Sequence, residues 1–516
     1  MRTRRKDPTM TRTRHQVVPG ALAAIGGAAL ALTLAACGVG DVGEGSWSKM
    51  DEQSPSATAT DTATDTGTAG SSPSGAGEHA AARSETREDS VYPQIGDPLV
   101  DALHYDLGLT WDPEKDVLTG RQTLTFRATD DADALPLDFS DELEISELTV
   151  DGKQVDHRLD GTSLSIEQPL VADQEYELAL TYAGTPEPTP APSTRTDFTQ
   201  GLGWSITEEH ETWTLQEPYG AFTWYAVNDQ PADKAFYDFT LTVPSPWSGV
   251  ANGRLTDTSE KDGSTTTTWH LAEPASSYLV TVAFGDFQRK DMESRSGVPL
   301  QVWSDPDGPD LPGQTSYLPK AVDWVEEILG PYPFDSLGIL VVDNESGMET
   351  QTMITLGDTA YSLSGGTIVH EVVHQWYGDT VSPADWSDVW MNEGMAMYLQ
   401  GMWEAEQEGI TIAEKMDQWA GFEVQLREGA GPPGDFDPDM FGDGNIYYGP
   451  ALMWHELRER IGDDDFFAMV RAWPASQENG TADREEYWTW VEKETGEELT
   501  SFFEDWLLGE TTPSRD

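Results

Sequence analysis

The stretch His370-Glu371-Val372-Val373-His374 lies in an apolar segment that begins at Ile368 and contains no proline or glycine. Such a segment predicts a helix, and two histidines four positions apart then share one face of it. Both imidazoles can bind a single Zn²⁺, while the glutamate between them can contact a water molecule beside the ion. We therefore expect His370 and His374 to be metal ligands and Glu371 to be the general base.

A third metal ligand is predicted nineteen residues after His374. Glu393 stands in the run Trp390-Met391-Asn392-Glu393-Gly394, where a second helix could return antiparallel to the first. Two histidines and one glutamate form the His₂Glu set of catalytic zinc sites, which keep a fourth position open for water. The sequence therefore predicts one bound Zn²⁺.

These residues resemble the catalytic signature of the aminopeptidase N family of zinc metallopeptidases, in which H-E-x-x-H is followed, after eighteen residues, by Glu in an Asn-Glu-Gly context. Residues 375–379 and 386–390 are also similar to that family. The resemblance extends from about Tyr92 to Leu508. It implies an N-terminal β domain, a thermolysin-like catalytic domain, and a short form without the C-terminal helical domain of larger members.

The family's exopeptidase motif, G-x-M-E-N, has a partial match in residues 346–350, which read Ser-Gly-Met-Glu-Thr. Serine replaces the first glycine and threonine replaces the asparagine. The resemblance implies that Gly347, Met348 and Glu349 bind substrate, with the Glu349 carboxylate pairing with the α-ammonium group of a peptide. In the β region, Glu217 matches the residue that supplies a second contact to the amine or the side chain.

A tyrosine is expected to complete the catalytic groups. The family places Tyr-x-Lys/Arg-Gly before a helix, and residues 447–450 read Tyr-Tyr-Gly-Pro, so a glycine replaces the basic residue. Matching the helix start makes Tyr447 the phenol that would donate to the developing oxyanion. A shift of one position would select Tyr448 instead.

Two folded regions are predicted, which together make a multidomain α+β protein. Residues 91–289 alternate apolar and polar side chains, with turn signals such as Asp151-Gly152, and therefore predict an antiparallel all-β domain. The clearest strand patterns are residues 105–111, 176–182 and 237–243. Residues 290–510 have helical spacing at 319–329 and again after Thr367, with a short β stretch at 339–342, which predicts a mainly α catalytic domain.

The N-terminal residues predict export and a lipid anchor. Residues 1–37 have a basic start and an Ala/Leu/Gly run that ends in Leu34-Ala35-Ala36-Cys37, which resembles a bacterial lipobox. Cys37 would be lipidated and would hold the protein at the outer face of the cell membrane, whether Met1 or Met10 is the start. An uncleaved anchor, or ordinary cleavage after Ala36, is the alternative. Residues 38–90 are rich in Ser, Thr, Ala and Gly and predict a disordered linker.

Composition excludes one large class of partners. The chain has 516 residues, with 92 Asp and Glu against 30 Lys and Arg, and a formal net charge of -62. Such a charge repels phosphate backbones, so nucleic acid is not an expected partner. Cys37 is the single cysteine, so the chain cannot form a disulfide within itself.

The sequence thus predicts a lipid-anchored zinc aminopeptidase that acts on peptides with a free N-terminus. A zinc endopeptidase of the same fold is one alternative, because the exopeptidase motif is imperfect at Ser346 and Thr350. A noncatalytic surface-binding lipoprotein, in which the β domain binds the partner, is the other. A complete set of two histidines, one base and one carboxylate ligand disfavours that second alternative.

Overall fold

The alternating apolar residues of the first region form the buried face of a β-sheet. Tyr105, Leu107, Leu109 and Trp111 are each at most 1% exposed, as expected for a strand with one face on a core. The computed structural model describes residues 79–306, 308 and 315–515. Cys37, the predicted signal sequence and most of the predicted linker therefore lie outside the described residues.

The strands of the first region are β1 (Val100–Asp112), β2 (Val117–Ala128), β3 (Leu135–Asp138), β4 (Leu143–Val150), β5 (Lys153–Gln154), β6 (His157–Asp160), β7 (Ser163–Ile166), β8 (Glu175–Gly184), β9 (Gly203–Ile206), β10 (Thr212–Leu215), β11 (Lys234–Pro244), β12 (Ser248–Ala251), β13 (Arg254–Lys261), β14 (Ser264–Ser276) and β15 (Val282–Gly285). Within the described residues they form sheets in the orders β13-β14-β11-β1-β2-β8-β4-β5, β12-β15-β10-β9 and β3-β7-β6. The predicted strands at 105–111, 176–182 and 237–243 are confirmed as parts of β1, β8 and β11.

One strand pair departs from the predicted antiparallel arrangement. β1 and β11 run parallel, with His104 opposite Phe236 and Thr110 opposite Thr242. Parallel neighbours need a long connection instead of a hairpin, and more than a hundred residues separate these two strands. The predicted turn at Asp151-Gly152 is confirmed between β4 and β5, where both residues have positive φ, 50° and 69°, as a tight hairpin requires.

The second region contains β16 (Gln288–Glu293), β17 (Pro299–Ser304), β18 (Leu337–Val342), β19 (Gly347–Met348), β20 (Met353–Gly357), β21 (Ser382–Pro383) and β22 (Thr481–Ala482). Its helices are α1 (Leu318–Leu329), α2 (Gly365–His374), α3 (Trp390–Glu408), α4 (Ile412–Ala430), α5 (Asn445–Ile461), α6 (Asp463–Ser476), α7 (Arg484–Thr495) and α8 (Thr500–Leu507). The helix predicted at 319–329 and the strand predicted at 339–342 are confirmed. The mixed α+β class is confirmed as well.

The second region also has its own sheet, in the order β16-β17-β18-β20-β19. Strand β16 begins before residue 290, where the sequence placed the start of the catalytic domain, and pairs with β17. Helix α1 packs against α2, α2 packs against α3, and α3 also packs against α5. These contacts bring the two signature segments, 370–374 and 390–394, next to each other.

The β region is tied to the backbone that follows the zinc motif. Lys234 at the start of β11 is 1% exposed, and its Nζ donates to the carbonyl oxygens of Asp379 (2.7 Å) and Thr380 (3.3 Å). Burial lowers the pKa of this amine to about 7. The Tyr278 hydroxyl donates to the Gly378 carbonyl oxygen at 3.2 Å. These bonds fix residues 378–380 against the sheet, because buried carbonyl groups need hydrogen-bond partners.

Among the residues that the structure describes, no helix combines the length and the apolar character that crossing a bilayer would need.

Candidate active site

Helix α2 positions the two signature histidines on one face. The helix begins after Ser364, whose side chain accepts a hydrogen bond from the Thr367 backbone N–H at 3.2 Å, a standard N-cap. The His370 and His374 rings have centroids 4.8 Å apart. They are 8% and 1% exposed, so both imidazoles lie side by side in the protein interior.

Glu393 meets both histidines. Its Oε2 lies 3.1 Å from His370 Nε2 and 3.5 Å from His374 Nε2, and one ligand atom from each of the three residues lies within 4.8 Å of the others. The His374 Nδ1–H donates to the Tyr377 carbonyl oxygen at 3.0 Å, which leaves Nε2 free to bind a metal. Two imidazoles and one carboxylate, buried and converging, are a donor set that fits zinc.

A glycine allows Glu393 to reach this position. A Cβ on Gly394 would lie 2.3 Å from Pro450 Cβ, far inside van der Waals contact. The absence of a side chain at this position of α3 therefore lets α5 pack closely against it. This explains the glycine of the Asn-Glu-Gly sequence: Gly394 lets the part of α3 that carries Glu393 lie beside α5, the helix that carries Tyr447.

Glu371, the predicted base, has a ligand atom within 4.8 Å of ligand atoms of His374 and Glu349. It is 5% exposed, and burial raises the pKa of its carboxyl well above the usual range, with the nearby carboxylates of Glu349 and Glu393 adding to the shift and His374 opposing it. A carboxylate with a raised pKa accepts protons near neutral pH more readily than an exposed one. A Cβ on Gly347 would lie 2.6 Å from Glu371 Oε1, so the glycine leaves room for this carboxylate.

The segment that partly matches the exopeptidase motif lies beside the predicted zinc ligands. Glu349 Oε1 is 4.0 Å from His374 Nδ1, and burial raises the pKa of its carboxyl, although His374 opposes that shift. Gly347 and Met348 form β19, which pairs with β20. The Met348 side chain is 2% exposed and packs into the hydrophobic core of the β region. Of these three residues, Glu349 is the one whose side chain approaches the metal ligands.

Glu217, from the β region, joins the same site. Ligand atoms of Glu217, Glu349 and Glu393 lie within 4.8 Å of one another. Glu217 Oε1 and Glu349 Oε1 are buried and have no hydrogen-bond partner among the described residues. Burial and the neighbouring Glu349 carboxylate raise the pKa of the Glu217 carboxyl well above its usual range. We call Glu217, Glu349, Glu371 and Glu393 the glutamate cluster.

The two candidate phenols point to different surroundings. The Tyr447 ring lies 6.0 Å from the His370 ring, and burial, followed by the Glu393 carboxylate, raises the pKa of its phenol well above the usual range. Tyr448 instead packs edge-on against Trp419 (5.3 Å) and Phe422 (5.7 Å) of α4. The geometry therefore favours Tyr447 over Tyr448 as the phenol of the site.

Arg195 is a site residue that the sequence did not predict. Its Nη1 lies 3.3 Å from the Tyr447 hydroxyl and donates to it. It also weakens the burial-driven rise in the pKa of Glu371 and Glu217. Arg195 follows the proline-rich loop at 186–192 in a part of the sequence without a motif, so no local signal marks it. Its position follows only from a contact between residues 252 positions apart.

Two protein-family models match the chain, one over each folded region. The sequence model of the Peptidase M1 N-terminal domain matches residues 101–279, and that of the Peptidase family M1 domain matches residues 316–506. Aminopeptidase N of Streptomyces lividans is 27% identical over 319 residues, which cover 55% of this chain and 36% of the relative. Pig (Sus scrofa) glutamyl aminopeptidase is 28% identical over 348 residues, covering 61% of this chain and 36% of that protein. The chain thus spans about a third of the length of these relatives.

A solved structure matches over nearly its whole length. The M1 zinc metallopeptidase from Deinococcus radiodurans is 27% identical, with a TM-score of 0.74, and the match covers 83% of this chain and 98% of that one. A mutant of that enzyme was solved bound to a Tyr-Ser-Ala substrate with the same TM-score and identity. Because the two family models match both regions of the fold, and the match at residues 316–506 includes His370, His374 and Glu393, the chain belongs to the M1 peptidases, the aminopeptidase N family of zinc metallopeptidases.

Proposed function

We propose that this protein is a zinc-dependent aminopeptidase that removes residues from peptides with a free N-terminus and binds one Zn²⁺. The observation that carries the proposal is the pair of buried carboxylate oxygens of Glu217 and Glu349, neither of which has a hydrogen-bond partner among the described residues, beside the His370, His374 and Glu393 set. Burial favours the protonated form of a carboxyl group, so a buried carboxylate stays ionised only where a cation pairs with it. The α-ammonium group of a peptide supplies one, and binding it there sets the distance from the N-terminus to the bond that is cut.

Each residue of the site has a separate role in the proposed reaction. Zn²⁺, when held by the two histidines and Glu393, acts as a Lewis acid and lowers the pKa of coordinated water. The Glu371 carboxylate accepts a proton from the attacking water and passes it to the nitrogen of the leaving amine. The Tyr447 hydroxyl donates a hydrogen bond to the oxygen of the scissile carbonyl as that oxygen gains negative charge. Glu349, assisted by Glu217, holds the ammonium group.

We propose in addition that the protein works outside the cytoplasmic membrane, attached to it by lipid on Cys37. The support is the lipobox-like run Leu34-Ala35-Ala36-Cys37 and the placement there of the chain's single cysteine. The membrane and short peptides would then be its two partners. A net charge of -62 keeps such a protein soluble at the surface and repels nucleic acid.

The proposed activity is tested with paired peptides that differ only in N-terminal acetylation, incubated with protein that lacks residues 1–37. We expect single residues to be lost from the free peptide alone, because acetylation removes the charge that Glu349 and Glu217 bind. A zinc chelator should stop the loss. Mass spectrometry of both peptides over time reads the result. Internal cutting of both peptides would make the protein an endopeptidase, and cutting of neither by zinc-loaded protein would favour a binding protein.

Replacing Glu371 by glutamine should separate metal binding from turnover. Glutamine keeps the size of the side chain but cannot accept the proton, so we expect kcat to fall by about 10²- to 10⁴-fold. Metal content should remain that of the unmodified protein, since Glu371 is not a ligand in this account. Glu428→Gln, an exposed position on α4, is the matched control and should leave kcat unchanged. An inactive Glu371→Gln protein that has also lost its zinc would contradict the assignment of roles.

The anchor is tested by Cys37→Ser in the full-length chain. Serine cannot form the thioether that carries the lipid, so the protein should move from the membrane fraction to the soluble fraction. Peptidase activity per molecule should stay the same, which controls for misfolding. Cell fractionation followed by immunodetection measures the distribution. Continued membrane attachment of the serine variant would refute the lipid anchor.

A further inference from the structure

Arg195 enters the active site from the β region and is held there from several sides. It lies between β8 and β9, in a segment that also contacts the residues just before α5. The Phe441 backbone N–H donates to the Pro192 carbonyl oxygen at 2.8 Å, and Arg195 Nη1 donates to the Gly442 carbonyl oxygen at 2.9 Å. The guanidinium also lies over the Phe198 ring, 4.7 Å from its centroid. A side chain held in this way has one preferred position.

Most N–H donors of the Arg195 guanidinium already form hydrogen bonds. Nε donates to Asp197 Oδ1 at 3.1 Å, and Nη2 donates to Asp197 Oδ2. Nη1 donates to the Gly442 carbonyl oxygen and to the Tyr447 hydroxyl oxygen. A guanidinium has five N–H donors and no acceptor, so these four bonds leave a single N–H for any other group.

This count fixes the direction of the Tyr447 hydroxyl hydrogen. Because Arg195 can only donate, the phenol oxygen must accept, and its own hydrogen is directed away from Arg195. The Tyr447 ring stands beside His370, so the free direction of that hydrogen is available to the group that binds next to the metal ligands. A cation that donates to the phenol also polarises its O–H bond and strengthens the bond that it donates in turn.

We propose that Arg195 is a positioning residue for Tyr447: by donating to the phenol oxygen, it directs and strengthens the hydrogen bond from Tyr447 to the oxyanion of the substrate. This inference rests on the proposed peptidase function and adds a residue from the β region to the catalytic arrangement. In this chain Gly449 stands where the tyrosine motif has a basic residue. Arg195 places a cation beside the phenol of Tyr447 from another part of the sequence.

A direct role in binding the substrate's carboxylate fits the structure less well. Asp197 accepts from both Nε and Nη2 of Arg195, and this carboxylate would compete with one from a peptide. Bidentate recognition of a second carboxylate needs two parallel N–H groups, and only one remains free. The geometry therefore assigns Arg195 to Tyr447, and the carboxylate role becomes an outcome that the test can detect.

The test is a double-mutant cycle that uses Arg195→Gln, Tyr447→Phe and the double variant, all as zinc-loaded mature protein. Arg195→Gln should lower kcat about 10- to 100-fold, as expected for weakening one oxyanion contact, with KM changed less than about threefold. In the Tyr447→Phe background the same substitution should change kcat less than about twofold, because its effect passes through the phenol. Arg195→Lys keeps the positive charge and can still donate to the phenol oxygen, so it should recover part of the loss.

A second measurement does not depend on turnover. The dissociation constant of a phosphinic pseudodipeptide with a free amino group, measured by calorimetry, reports on the same contact because its phosphinate oxygen takes the place of the oxyanion. Arg195→Gln should weaken this binding about tenfold when Tyr447 is present and by less than about twofold when it is phenylalanine. If the unmodified protein binds the phosphinate but cuts no peptide, the proposed activity is wrong. The binding measurements on the Arg195 and Tyr447 variants still test the role of Arg195.

The matched control is Arg289→Gln. Arg289 also pairs with an aspartate two positions later, through Nε to Asp291 Oδ1 at 2.6 Å, and lies over an aromatic ring, that of Trp303. It is exposed on β16 and should leave every constant unchanged. Equal effects of Arg195→Gln in both backgrounds would overturn the proposal. So would a rise in KM for a free-acid peptide but not for its amide, which would show that Arg195 binds the substrate's carboxylate.

Discussion

Negative charge buried in one place is the constraint on which the rest of this structure depends. The four carboxylates of the glutamate cluster are each at most 8% exposed, and burying charges of one sign costs several kcal/mol per group unless cations share the site. In the proposed function, Zn²⁺ held by His370, His374 and Glu393 would supply part of this positive charge. The α-ammonium group of a substrate would supply another part at Glu217 and Glu349. The proposed binding of Zn²⁺ and the proposed recognition of a peptide's N-terminus thus have the same electrostatic origin, the buried carboxylates of the glutamate cluster.

The cluster also explains why the β region is more than a support. Glu217 and Arg195 both come from that region, whereas the metal ligands come from α2 and α3. Geometry at the site therefore depends on how firmly the two regions are joined. Lys234 and Tyr278 donate to backbone carbonyls at residues 378–380, directly after the second histidine. A shift of the β region would move Glu217 and Arg195 relative to the predicted zinc ligands. The bonds from Lys234 and Tyr278 therefore maintain the distances between these two groups of residues.

Local patterns predicted which side chains lie together where spacing along one helix decides it. His370 and His374 share a face because they are four residues apart, and Glu393 was identified because its flanking Asn392 and Gly394 are part of the same signature. Alternation likewise identified the strands, but it could not show that β1 and β11 pair in parallel, since pairing between distant strands leaves no local trace. Arg195 lies 252 positions from Tyr447, and only the folded structure brings the two together. The choice between Tyr447 and Tyr448 also needed the packing of Tyr448 against α4.

The most direct test of this account is the thermal stability of metal-free protein during titration with Zn²⁺. A ligand at a hundred times its dissociation constant stabilises the folded state by about 2.7 kcal/mol, which corresponds to a rise of roughly 2.5 °C in Tm for a chain of 516 residues. We predict such a rise, complete at one zinc per chain, and its loss in a variant with His370→Ala and His374→Ala. An equal rise in that variant, or a folded protein whose Tm does not respond to zinc, would contradict the claim that zinc balances the buried carboxylates.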